Sequence, residues 1–185
     1  MRAYRAKDMA DSKADLLAGA GGLVTDEAQS DHQGRKALLL VRNNEDCDEF
    51  IALAKTMGIN IVDRVDQRGR SDAKWFLGQG KLQDVNEELR STSHGHPWND
   101  VDLLLLHTNA TPRQLVGVND AVGIEVWDRV RLLLALFTAH ASSVEARTQV
   151  RIARLQSDRT VLREVVKQQT TGELSLIHIS EPTRP

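Results

Sequence analysis

Lys36–Val65 reads KALLLVRNNEDCDEFIALAKTMGINIVDRV, and its three parts decide the fold class. Ala37–Val41 is a short, continuous apolar run, the pattern of a strand buried on both faces. Asn43 or Asn44 can cap the element that follows. There Phe50, Ile51, Leu53, Ala54 and Met57 share one helical face, and Gly58 suits the left-handed stop after a helix. Ile59–Val65 is a second strand. Strand, helix and strand with tight connections make a β-α-β unit.

The same alternation continues downstream. Asp66–Lys74 is a loop with Arg64, Arg68, Arg70 and Lys74 around Gly69. Trp75–Lys81 leads into a helix over Leu82–Arg90, with Leu82, Val85 and Leu89 inward. Ser91–Asn99 is a polar loop carrying His94 and His96. Val101–Leu106 is the third strand. Thr111-Pro112 starts a helix as an N-cap followed by Pro at N1. Gly123 closes that helix before a fourth strand, Ile124–Trp127. The expected architecture is therefore α/β: a four-stranded, mostly parallel sheet with right-handed crossovers, flanked by helices over residues 35–128.

From Val130 to Thr171 there is no Pro or Gly. As one helix over 129–172, this stretch predicts a rod of roughly 60 Å, too long for the side of a small domain, so part of it should project. Its first turns are apolar nearly all round and read as buried. Further on, Val144, Thr148, Ile152, Leu155, Leu162 and Val166 form one greasy stripe. Arg147, Arg151 and Arg154 run beside it. That stripe lacks a mate, and the helix beyond about Ala146 is expected to fray or self-associate, because amphipathic helices owe most of their stability to packing.

Composition bounds the rest. Residues 1–34 are rich in Ala, Gly, Ser and Asp and read as a mobile tail, with a short helical turn near Lys13–Leu17. A net charge of −2 gives no global bias toward nucleic acid. The lone Cys47 excludes an internal disulfide and fits a reducing cytosol. No apolar run approaches the length of a membrane span, and a cytoplasmic location is the default. Residues 173–185 have no helical period, resemble translated sequencing adapter, and are read as non-native.

Gly78-Gln79-Gly80-Lys81 opens a helix, where backbone N–H groups and a Lys can hold phosphate. A tight turn close to the sheet explains the same glycines, and the full phosphate-loop pattern is missing. His94, His96 and His107 share no face with a carboxylate cluster, so no metal site is expected. Asp128-Arg129 reads as a local cap and ion pair, and no catalytic constellation assembles. The cations are more informative. Arg68, Arg70 and Lys74 cluster in one loop; Arg147, Arg151, Arg154, Arg159, Arg163 and Lys167 line the long helix. Two basic surfaces on a nearly neutral chain point to contact with RNA phosphates, and scarce aromatics favour folded RNA over stacked single strands.

Phe76–Leu82, Ala110–Gln114, Val122–Arg129 and Glu145–Leu155 together resemble the amino-terminal domain of HflX-type GTPases, across about Lys36 to Glu173. The resemblance implies an α/β subdomain bearing a long helical hairpin, followed by a GTPase domain that uses GTP and Mg2+. It implies association with the large ribosomal subunit and its rRNA. The second hairpin helix and every GTP-site motif have no counterpart here, so the chain is expected to be an amino-terminal fragment without cofactor or activity of its own. The alternative is a small nucleotide-binding α/β domain using Gly78–Lys81.

Overall fold

The computed structural model describes residues 32–91 and 95–177. Its strands are β1 (Lys36–Arg42), β2 (Asn60–Gln67), β3 (Val101–Leu106) and β4 (Glu125–Trp127). Its helices are α1 (Asp48–Thr56), α2 (Gln79–Ser91), α3 (Pro112–Val122), α4 (Arg129–His140) and α5 (Val144–Ile177). The sheet has the order β2-β1-β3-β4, and every neighbouring pair is parallel. The α/β class with flanking helices and a long carboxy-terminal helix is thus observed.

Period-two alternation within the apolar strands divides the core in two. Leu38, Leu40, Leu104, Leu106 and Val126 face the layer of α2 and α3. Ala37, Leu39, Val41, Leu103, Leu105 and Trp127 face the layer of α1 and α4. Thr111 caps α3 with a reciprocal capping box to Gln114, and Gly123 ends it at φ 79°, a conformation that costs glycine little.

The single rod expected over 129–172 is two helices. Ala141 leaves the helical region, and Ser143 restarts the chain: its Oγ accepts from Ala146 N–H at 3.0 Å. Absence of Pro and Gly did not guarantee continuity, because paired serines compete for backbone hydrogen bonds and favour a cap. Nor does α5 simply project. It doubles back to pack on α4 and α3, burying Val161 and Val165 in the α2/α3 layer. The early turns of α4 also depart from uniform burial, since Val130 and Phe137 are exposed while Arg131 is buried.

Residues just before β1 also make contacts with the domain. His32 is buried edge-on against Trp127 at 4.8 Å, and Gly34 N–H donates to the Gly58 carbonyl at 2.9 Å. The loop before β3 is anchored rather than merely polar, with Trp98 Nε1 donating to Asp63 at 2.7 Å. Gly172 does not stop α5, whose backbone stays helical through Ile177. The helical turn expected near Lys13–Leu17 and residues 178–185 lie outside the described residues. No described helix is long and apolar enough to cross a membrane.

Candidate functional site

All four strands are parallel, so their carboxyl ends share one edge of the sheet, and β1 and β3 lie side by side where the strand order reverses. In open α/β sheets such an edge is where ligands are generally held. Here β1 delivers Arg42, which is buried. Its Nη1 donates to Gln67 Oε1 at 3.2 Å, and Nη2 donates to the Arg70 carbonyl. Gly69 N–H donates to Asn43 Oδ1 at 2.8 Å. These bonds fix the loop that carries Arg68 and Arg70, which are exposed.

The same loop is tied down on its far side. Asp72 Oδ1 accepts from the N–H groups of Lys74 and Trp75, and these bonds hold its carboxyl below the usual range, with help from Arg113 and Arg42. Gln114 Nε2 donates to Ser71 Oγ and to the Asp72 carbonyl. Lys74 is half-buried, with Nζ 4.8 Å from the centre of the Trp75 ring. Its carbonyl lies so close to Gly117 that a Cβ there would meet it at 2.3 Å. Arg68 and Arg70 therefore project from a rigid platform, whereas Lys74 is drawn against its own surface.

Gly78-Gln79-Gly80-Lys81 does open a helix, as its sequence suggests. Gly78 N–H is already taken by Gln67 Oε1 at 2.6 Å, while Gly80 faces open space. His94 lies outside the described residues. His96 is near Glu88 and Trp98, and His107 is near Glu45 and Phe50. No group of three metal-ligating side chains occurs among the described residues.

Asp128 caps α4 through Oδ1 to Arg131 N–H at 2.9 Å, and its Oδ2 accepts from Ala110 N–H at 3.0 Å. Burial pushes its carboxyl above the ordinary range. Arg129 pairs with Glu49 at 2.7 Å, so the cap expected at this turn is present, but the ion pair is made with α1.

The cations of the long helix differ in burial. Arg147, Arg151, Arg159, Arg163 and Lys167 are exposed. Arg154 is half-buried near Asp158 and Arg131, and burial lowers its pKa. Asp158 itself is buried and receives Arg131 Nη2 at 2.8 Å, an ion pair between α5 and α4 that spacing alone did not reveal. The greasy stripe is present as expected, with Val144, Ile152, Leu155 and Val166 exposed. Leu155, Leu162 and Val166, with Arg159 and Arg163 beside them, line an open groove. Sequence reasoning also missed Arg42 and Gln67, since an Arg ending an apolar strand carries no motif.

The profile of a protein family described as GTP-binding GTPase N-terminal matches residues 44–138. Among curated proteins, the GTPase HflX of Hyperthermus butylicus is 31% identical over 126 residues, covering 68% of this chain and 32% of that protein. The GTPase HflX of Saccharolobus solfataricus is 24% identical over 139 residues, covering 75% and 36%. Among solved structures, a GTP-binding protein from Sulfolobus solfataricus in complex with GDP superposes with a TM-score of 0.56 at 23% identity, covering 78% of this chain and 46% of that one. A point variant of SsGBP gives a TM-score of 0.58 at 25% identity, covering 71% and 41%. The chain spans between 22% and 36% of the length of these curated relatives. By the extent of the profile match, this chain belongs to the GTP-binding GTPase N-terminal family, in its HflX-type branch.

Proposed function

We propose that this chain docks on the large ribosomal subunit through contacts to rRNA phosphates, as the amino-terminal module of an HflX-type GTPase. The observation that carries the reading is the row of exposed cations on α5: Arg147, Arg151, Arg159, Arg163 and Lys167. They follow an i+4 ridge that winds about 200° around a helix held against the domain by Val161, Val165 and the Arg131–Asp158 pair. A rigid rod of outward cations presents charge at fixed spacing, which suits the shape and phosphate recognition of folded RNA. Arg68 and Arg70 on the rigid loop add a second contact region. In this reading GTP and Mg2+ belong to the part of the relatives that the chain does not span, and the α/β domain positions rather than hydrolyses.

The test is co-sedimentation with purified large subunits over a salt series. Binding should weaken steeply with salt, and each lost phosphate contact should lower the log–log slope by roughly 0.7–0.9. Arg147→Ala, Arg151→Ala and Arg163→Ala together should lose most of the bound fraction while leaving the fold intact. Arg154 is left out because it is partly buried beside Asp158. Unchanged sedimentation of the triple variant would refute the reading.

A further inference from the structure

The groove on α5 has a feature that phosphate contact leaves unexplained. Leu155, Leu162 and Val166 line it, with Arg159 and Arg163 beside them. Leu155 and Val166 are 46% and 58% exposed. Asp158, also at the groove, is buried and bonded to Arg131, so the charge shown to solvent there is positive. Folded RNA would satisfy the arginines and leave the apolar side chains wet. The α5 of a second copy would cover the apolar side chains but set its own exposed cations against these. A complementary occupant carries carboxylates and apolar side chains together.

The chain itself carries such a segment. Residues 8–31 hold six carboxylates, Asp8, Asp11, Asp15, Asp26, Glu27 and Asp31, against the single Lys13. Leu16-Leu17 follows Asp15 directly, and only Thr25 separates Leu23-Val24 from Asp26-Glu27. The segment joins the domain at His32, which packs on Trp127. Trp127 stands four residues before Arg131, and Arg131 bonds Asp158 at the groove. A stretch of this length reaches up to roughly 80 Å, whereas a domain of this size is roughly 40 Å across. Tethering also raises the local concentration of the segment to the order of mM.

We propose that residues 8–31 dock in the α5 groove of the same chain and so compete with RNA for this face. Their carboxylates meet Arg159, Arg163 and Lys167, and their apolar pairs cover Leu155, Leu162 and Val166. The docking stands on the groove and the segment alone; the competition rests on the RNA-docking role given above. A segment docked nine-tenths of the time would lower the apparent affinity for RNA about tenfold.

The experiment uses the full chain. Ser12→Cys with Cys47→Ala gives it a single attachment point for a nitroxide, inside the segment. In the 15N-labelled protein the nitroxide should broaden the amides of residues 155–166, and should do so undiminished when diluted into unlabelled chain. Exchanging the six carboxylates for Asn and Gln should abolish the broadening, as should Leu155→Asp with Val166→Asp, both at exposed positions. No broadening there, or broadening indifferent to these changes, would overturn the docking. Broadening found only with nitroxide and 15N on different copies would overturn it in favour of a second chain's segment. In co-sedimentation with large subunits, the chain with neutralised carboxylates should bind about tenfold more tightly than the native one. Unchanged affinity alongside clear broadening would refute the competition. If neither chain sediments, the RNA-docking role fails, and the broadening still decides the docking.

Discussion

Replacing Asp158 by Ala removes the carboxylate that faces Arg131 Nη2 at 2.8 Å, where both side chains are buried. At that distance, with an effective dielectric constant of about 20, the attraction is roughly 6 kcal/mol before desolvation is subtracted. Breaking a buried pair from one side typically costs about 3–5 kcal/mol. Asp128 also attracts Arg131, which places the expected loss near 3 kcal/mol, the lower end of that range. Burial of Val161 and Val165 contributes roughly 3–6 kcal/mol to docking α5. The loss is comparable, so α5 should undock before the sheet melts. Hydrogen exchange reads this directly: in Asp158→Ala the α5 amides should lose protection while β1 and β3 keep theirs. Arg131→Met with Asp158→Leu should restore it, because an apolar pair of similar volume replaces a buried ion pair at little cost. Protection of α5 unchanged in Asp158→Ala, with stability altered by less than about 1 kcal/mol, would refute the assignment of this pair as the latch.

Gly117→Ala should destabilise by about 2 kcal/mol in urea denaturation, although Gly to Ala inside a helix ordinarily gains nearly 1 kcal/mol, because the new Cβ would meet the Lys74 carbonyl at 2.3 Å. A stabilised variant would show that the loop yields freely. Burial holds Glu125 and Asp128 above the ordinary carboxylate range, so each subtracts stability once ionised. That part of the stability should increase as pH falls through the raised values toward the unfolded ones, and Asp128→Asn should flatten this increase in urea midpoints taken across the acid range. Asp72 has the opposite sign: its contribution is present above the unfolded value and is lost as pH falls through its depressed one. Ile152→Lys on the exposed stripe should change stability by less than about 0.5 kcal/mol, and a larger loss in thermal melts would mean that this face is covered.

Most of the sheet was legible because its signals are local. The run Ala37–Val41, the Gly58 stop, the Thr111-Pro112 start and the Gly123 stop each announce themselves within a few residues, and each matches an observed element or boundary. The boundary at residues 141–143 was not legible by the same means. Ser142 and Ser143 are mild helix breakers, and whether they bend a chain depends on what the following helix can bury on its return. That choice is made by Val161 and Val165, some twenty residues later. The carboxyl edge was half legible. Its glycines and cations stand out, but the residues that organise them, Arg42, Gln67 and Gln114, act across 25, 11 and 43 positions respectively.

The arginines of the long helix show why counting charges was not enough. Arg151 and Arg154 look equivalent in sequence, yet one is exposed and the other half-buried. At 100° per residue, Asp158 and Val165 fall on nearly the same side of α5, with Arg154 and Val161 close beside them; Leu155, Leu162 and Val166 fall on another. The first group faces α3 and α4, and the second remains open. Once the helix turned back at Ser143, one of its two apolar stripes found its mate within the chain itself. An Arg at the margin of that stripe could be accommodated only by pairing with a carboxylate or by reaching solvent along its own stem. Arg154, at that margin, lies near Asp158, which also receives Arg131 from α4, while Arg159, Arg163 and Lys167, further around, reach solvent. Phase excludes Arg159, Arg163 and Lys167 from the inner seam, whereas Arg147 and Arg151 share the phase of Val165 and Asp158 and are exposed because they lie ahead of Asp158, the first buried residue of the helix.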